Sequence, residues 1–185
     1  MSQYSRERKR FLSSEELDAG IREVAEAACA EKVRFAALGG YAMQLYGSDR
    51  WTTDLDVVAS GPIEALPSVR PLSFGGYTAT SSLGFPIDII LKDDDSAPLY
   101  DDALQHAVCI EGVPTVTVPY LMVIKMAAGR EKDTLDLHWL LAAYDEPRTV
   151  EEARRIVRKH LGWYAVKEFD QELEMARWKK KAGKE

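Results

Sequence analysis

Hydrophobic and polar positions follow two rhythms along this chain, and the rhythm changes near residue 118. Ser13-Ser14-Glu15-Glu16 fits a capping box, with Ser13 as N-cap and Glu16 three residues on. Leu17, Ile21, Val24 and Ala28 recur at helical spacing, which predicts a helix to about residue 31 behind a frayed segment 1–12. Val33 to Leu38 is short and apolar and ends at Gly39-Gly40, as a strand does. Tyr41 to Tyr46 predicts a short helix closed by Gly47, and Ser48 to Thr53 a polar loop. Asp54 to Ala59 reads as the second strand. Gly61-Pro62 breaks it, and a helical turn runs through Leu66. Gly76 to Thr80 and the β-branched run Ile87 to Leu91 are further strands, the latter after a turn at Gly84-Phe85-Pro86. Asp93 to Asp95 form a polar loop, and Ala97 to His106 a helix. Val108 to Glu111 and Thr115 to Val118 are two small strands joined at Gly112.

From Pro119, which suits a first helical position, the pattern is helical throughout. Three further helices fall near 131–143, 149–161 and 163–180. Val150, Ala153, Val157 and Leu161 form one apolar stripe; Val166, Phe169, Leu173 and Ala176 form another. The fold class is α/β: a small mixed β-sheet flanked by helices, with a C-terminal helical bundle. The division expected is an α/β core with its N-terminal helix over 1–118 and a helical region over 119–185 packed on it. No internal repeat interrupts this plan.

Composition narrows the function. The 185 residues are 46% hydrophobic and 29% charged, with a net charge of -6, so the whole molecule is no generic polyanion binder. Basic runs sit at the ends, Arg6, Arg8, Lys9 and Arg10 and then Lys179 to Lys181, and read as solvated tails before they read as nucleic-acid sites. Cys29 and Cys109 lie in apolar sequence with no ligand spacing, which suggests buried, reduced thiols. There is no signal-peptide pattern and no run long enough to span a membrane, so the expected location is cytoplasmic.

The chemistry concentrates at Thr53-Asp54-Leu55-Asp56-Val57-Val58. Strand side chains alternate, so Asp54 and Asp56 share a face while Leu55, Val57 and Val58 can feed a core. Two acids side by side repel, and a divalent cation such as Mg²⁺ resolves that conflict. Upstream, Gly39-Gly40 at a strand-to-helix junction lets backbone approach a ligand and offers N–H groups to an anion. Thirteen residues separate Gly40 from Asp54, enough for one short helix and a return to the neighbouring strand. Asp88, inside an apolar strand, is costly to bury unpaired and would complete a three-carboxylate cluster beside Asp54 and Asp56. Such a cluster can hold two Mg²⁺ ions, and Asp88 could also accept a proton as general base.

Leu38-Gly39-Gly40-Tyr41-Ala42, Tyr46-Gly47, Arg50-x-Thr52-x-Asp54-Leu55-Asp56 and the later Asp88 resemble the nucleotidyltransferase fold of the DNA polymerase beta superfamily. The closer similarity is to small prokaryotic AbiEii-toxin-like and stand-alone nucleotidyltransferases. Lys125 to Leu137, with Arg130, Lys132, Asp133 and Asp136, resembles a helical segment of that group. The resemblance covers about residues 33–142. It implies transfer of a nucleoside monophosphate from an NTP to a hydroxyl acceptor: a tRNA, a protein or a small molecule such as an antibiotic. Asp54, Asp56 and Asp88 would be the metal ligands and catalytic acids. Gly39, Gly40, Arg50 and Lys125 would bind the nucleotide, and Asp133 and Asp136 would orient Lys125, Arg130 or the substrate. Gly40 departs from the Gly-Ser common in that phosphate loop. The resemblance also raises a toxin–antitoxin role, with a cognate protein as partner.

Plainer readings stand beside these. Asp54 and Asp56 could be a solvated strand end, and Asp88 a salt-bridged structural acid. Lys125 could snorkel to solvent, and Arg50 could stack on Trp51. Asp133 and Asp136 read first as helix N-terminal charges and ion pairs. His106, His138 and His160 show no metal spacing; Trp139, Trp163 and Trp178 fall on helical stripes and suggest packing. The rival function is a binding module without turnover, a nucleotide sensor or antitoxin-like partner on the same fold.

Overall fold

The computed structural model describes residues 10–183. Fourteen elements follow one another: α1 (Ser14–Glu31), β1 (Phe35–Leu38), α2 (Gly39–Leu45), β2 (Leu55–Ala59), β3 (Arg70–Pro71), β4 (Tyr77–Thr80), β5 (Pro86–Ile90), α3 (Ala97–Gln105), β6 (Val108–Ile110), β7 (Val113–Thr115), α4 (Val118–Ala128), α5 (Glu131–Ala143), α6 (Pro147–His160) and α7 (Trp163–Ala182). The strands form one mixed sheet in the order β3-β4-β5-β2-β1-β7-β6. β2 runs parallel to β5 and β1 to β7; the other neighbours are antiparallel. The fold class read from the sequence is the one observed.

Side-chain alternation sends each strand's residues to two separate cores. Ala37, Leu55, Val57, Ile87 and Ile89 pack with Leu17, Ile21, Val24 and Ala28 of α1. Ala36, Leu38, Val58 and Ile90 pack with α3 and the four C-terminal helices, where Leu121, Leu140, Val157 and Phe169 are fully buried. Asp56 and Asp88 stand two residues before Val58 and Ile90, so they belong to the face that the helices cover.

Local chemistry explains where boundaries shifted. The Ser13–Glu16 capping box is formed, and α1 ends at Lys32 in the left-handed region (φ 58). Val33 gives its N–H to Ala28 O at 2.9 Å, which still belongs to the helix end, so β1 begins later than the apolar run suggested. Leu12 is not frayed: it is buried and donates to Thr52 O at 2.9 Å. Leu12 and Leu17 occupy the two positions of a hydrophobic staple and share one core. Ile110 pairs with Val113 around Glu111-Gly112, both with positive φ (50 and 85), a two-residue hairpin turn that draws β7 forward to Val113. β3 went unread because two residues, one of them proline, carry no period.

Two expectations about burial are corrected. Cys29 and Cys109 are exposed: Cys29 lies off the buried stripe of α1, and Cys109 lies on the edge strand β6. Trp163 and Trp178 are also exposed, at 67% and 64%. The buried stripe of α7 is Phe169, Leu173 and Ala176, and Trp178 lies about 200° around the helix from Ala176. Trp139 packs partly buried against the helical core. Among the described residues no helix is long and apolar enough to cross a membrane. Arg6, Arg8 and Lys9 lie outside the described residues; Arg10 is exposed and held by Glu16.

Candidate active site

One row of directly paired residues crosses four strands: Leu38 on β1, Asp56 on β2, Asp88 on β5 and Thr78 on β4. Paired residues share a face, so the two acids stand side by side below the C-terminal helices. Thr78 is buried and donates its hydroxyl to Asp88 Oδ1 at 2.6 Å. Asp54 sits in the bend just before β2 rather than in the strand. Thr52 Oγ1 donates there, lying 3.1 Å from both the carbonyl and Oδ1 of Asp54.

Gly39 follows Leu38 directly and therefore passes Asp56. A Cβ at Gly39 would lie 1.9 Å from Asp56 Oδ2, and its φ of 61 is left-handed, so two separate constraints require glycine. A Cβ at Gly40 would lie 2.6 Å from Thr52 Oγ1. Both glycines are thus explained by the close approach of the β1–α2 junction to the acid-bearing segment.

Burial pushes the Asp56 carboxyl up to about 6, and the nearby charges of Asp54 and then Asp88 add to that push; Lys125 and Lys132 oppose it. Asp54 and Asp88 are therefore each near enough to Asp56 to disfavour its charge. Among the described residues, no three His, Cys, Asp or Glu side chains are gathered into a ready metal-holding group. The donor set suits a hard divalent cation in kind, being all carboxylate oxygen with excess negative charge at Asp56.

The cations take a different arrangement from the one expected. Lys125 does not snorkel. It is buried, with Nζ 3.0 Å from Asp133 Oδ1 and 2.6 Å from Asp136 Oδ2. Arg50 does not stack on Trp51, whose ring instead meets Phe11 with centroids 5.8 Å apart. The Arg50 guanidinium reaches Asp136 Oδ2 at 2.8 Å, and Arg130 Nε holds Asp133 Oδ2. Burial alone would raise Asp133, but the hydrogen bond from Arg130 and the charge of Lys125 outweigh it and hold the carboxyl below its ordinary range. The chain Arg50–Asp136–Lys125–Asp133–Arg130 thus joins the loop before β2 to α4 and α5. Asp133 and Asp136 are ion-pairing residues, as their plainer reading had it, and they also orient Lys125 and Arg130.

Several participants were not assigned a role from the sequence. Thr78 reaches Asp88 through strand pairing, which no local pattern reveals. Thr52, two residues before Asp54, stood inside the quoted motif and had a readable signal. Tyr100 on α3 is pushed up to about 12, chiefly by burial, and its hydroxyl senses Arg130 and Asp56. His106 stacks on Tyr120, His138 contacts Glu172 and His160 contacts Asp102.

No protein-family model and no curated protein matches the chain. Among solved structures it is similar to an antigenic nucleotidyltransferase-like protein from Paracoccidioides brasiliensis, at 18% identity and a TM-score of 0.50 over 89% of this chain and 95% of that one. A second similar structure is the antibiotic-resistance factor ANT(2'')-Ia, at 15% identity and a TM-score of 0.47 over 92% and 94%. The first similarity shows a nucleotidyltransferase-like fold.

Proposed function

We propose that this chain transfers a nucleoside monophosphate from an NTP to a hydroxyl acceptor, with pyrophosphate leaving. The observation that carries the reading is the row Asp56–Asp88–Thr78 with Asp54 beside it, on a nucleotidyltransferase-like fold. Repulsion at this cost has no structural return unless a cation relieves it. Asp54, Asp56 and Asp88 would hold Mg²⁺, one ion or two. Bound there, Mg²⁺ would neutralise phosphate charge and favour the ionised form of an attacking hydroxyl.

The protein's own groups have distinct tasks in this reading. Thr78 holds Asp88 beside Asp56, where Asp88 serves as third ligand or takes the proton of the acceptor hydroxyl. Thr52 fixes Asp54 at the start of β2. Leu38 gives α2 no side-chain cap, so the first-turn N–H groups at Gly39 and Gly40 are open to phosphate oxygens. Arg50 and Lys125 act through Asp136 by holding the acid-bearing loop against the helices. The kinship with AbiEii-type proteins, and with it a toxin role, rests on the motif from Lys125 to Asp136. Growth arrest on expression, absent for Asp54→Ala, supports that branch; harmless expression removes it.

A second reading, nucleotide or partner binding without turnover, is favoured by one observation: Arg50 and Lys125 are committed to internal ion pairs. Incubation with each α-labelled NTP, Mg²⁺ and cell lysate separates the two. Label moved to a macromolecule or small acceptor supports transfer. NTP binding that needs no Mg²⁺, with no labelled product, supports the binding module.

A further inference from the structure

α7 carries a second stripe besides its buried one. Phe169, Leu173 and Ala176 face the helical core. On the opposite side, about 200° around the helix, Gln171, Met175, Trp178 and Ala182 recur at steps of four, three and four residues. That is the spacing by which one helix packs along another. All four are exposed, Met175 at 47% and Trp178 at 64%. Gln171, Glu174, Met175 and Trp178 line a groove of about 450 Å³. Its lining comes from α7 alone, so it lacks the several walls that enclose a small molecule and offers one long side to a facing helix. Charges border the stripe on both sides. Glu172 and Lys179 stand on one flank, where each also touches His138 of α5. Glu174 and Lys181 stand on the other, exposed and without an ion pair among the described residues. Asp170 and Arg177, further round, are already paired with Arg154 and Asp145.

We propose that this face of α7 pairs with the same face of a second copy of the chain, antiparallel and related by a two-fold axis. Met175 lies against the partner's Trp178, and Gln171 against the partner's Ala182. In that register Glu172 meets the partner's Lys179 on one flank, and Glu174 meets the partner's Lys181 on the other. The two-fold axis makes each contact twice. Charge selects this alignment over its neighbours. Sliding one helix by a heptad, so that α7 overlaps along its whole length, sets Glu172 against Glu172, Glu174 against Glu174 and Lys167 against Lys181. A parallel pairing sets Glu168 against Glu168 in the seam and gathers both runs of Lys179 to Lys181 at one end. The antiparallel pairing also opposes the two helix dipoles. A stripe complementary to itself in this way identifies its own copy as the occupant. From Gln171 to Ala182 the overlap spans about 18 Å. That is short of the roughly 800 Å² per partner of a standard interface, so the dimer is a weak one, with Kd on the order of tens of micromolar.

Sedimentation velocity of the full chain from about 1 µM to about 500 µM tests this. The parent chain should pass from monomer to dimer across that range. Trp178→Ala should stay monomeric throughout, with an unchanged unfolding midpoint, because the indole is exposed in the single chain. Trp163→Ala removes an equally exposed aromatic outside the overlap and should dimerise as the parent does. Glu174→Lys and Lys181→Glu should each weaken the dimer by about tenfold, since each sets like charges together twice. An equimolar mixture of these two variants restores opposite charges at both contacts and should recover the parent's affinity. A parent chain still monomeric at about 500 µM overturns the proposal and leaves the groove to a protein of different sequence. A dimer insensitive to Trp178→Ala uses another face and overturns it too. So does equal weakening by Trp163→Ala, or a mixture that associates no more tightly than its two components.

Discussion

Asp136 Oδ2 lies 2.6 Å from Nζ of Lys125, and both side chains are buried. The same oxygen is 2.8 Å from Arg50, so one carboxylate ties α5 to α4 and to the loop that leads into the acids. Removing it leaves Lys125 dependent on Asp133 and frees Arg50 from its only ion pair among the described residues. Breaking a buried pair from one side costs about 3 kcal/mol. Asp136→Ala should therefore lower stability by about that much in urea unfolding; a change below about 1 kcal/mol would show that the network contributes little.

Gly39→Ala places a methyl group inside the space of the Asp56 carboxylate, at a backbone φ that L-residues rarely adopt. Left-handed strain alone costs about 1 kcal/mol or more, and the clash adds displacement of Asp56. Transfer activity should fall by at least about a hundredfold if Asp56 must sit where it does, since misplacement of about 1 Å costs that much. Kinetics near the parent's rate would mean that the junction yields without moving the acid.

Thr78→Val preserves shape and removes the hydroxyl that donates to Asp88 at 2.6 Å. A lost hydrogen bond to a charged group in a buried setting costs about 2 kcal/mol. Both stability and transfer rate should drop, with Thr78→Ser recovering most of each. An equal loss in Thr78→Ser would point to packing of the methyl group instead of the hydroxyl.

The raised Asp56 carboxyl makes stability depend on pH in a definite direction. Its folded value of about 6 lies above that of an unfolded aspartate, near 3.9. Between those values the folded chain binds more proton than the unfolded one. The contribution from Asp56 is therefore fully present below about pH 4 and is lost as pH rises through about 6. Asp56→Asn should remove that component of a pH–stability curve, and Mg²⁺ should stabilise the parent chain more at pH 7.5 than at pH 5. A curve unchanged by Asp56→Asn would contradict the clustering of acids.

Much of this arrangement was legible along the chain because it is written in local period. The stripe Leu17, Ile21, Val24 and Ala28 gave α1, and the alternating apolar run gave β2 with Asp56 on it, although Asp54, expected in the same strand, lies in the bend before it. The nearness of Asp88 to Asp56 followed from pairing two apolar strands, and the sheet aligns the two residues directly. What stayed hidden depends on tertiary placement. Nothing in the helical run around Lys125 distinguishes a lysine that reaches solvent from one sealed between Asp133 and Asp136. The difference lies in how α4 and α5 cross. Trp163 and Trp178 misled for a related reason: an aromatic at helical spacing is compatible with either face, and only the packing of Phe169 and Leu173 decides which is covered. Thr78 could not be found before β4 was paired with β5.

The most direct measurement is Mg²⁺-dependent release of pyrophosphate from each NTP, in the presence of lysate acceptors, by the parent chain and by Asp56→Asn with its fold verified by circular dichroism. The account predicts release by the parent chain that requires Mg²⁺ and falls at least about a thousandfold in the variant, the scale expected when a carboxylate central to transition-state charge is lost. Equal release by the two proteins, or none by the parent chain with any NTP, would contradict it.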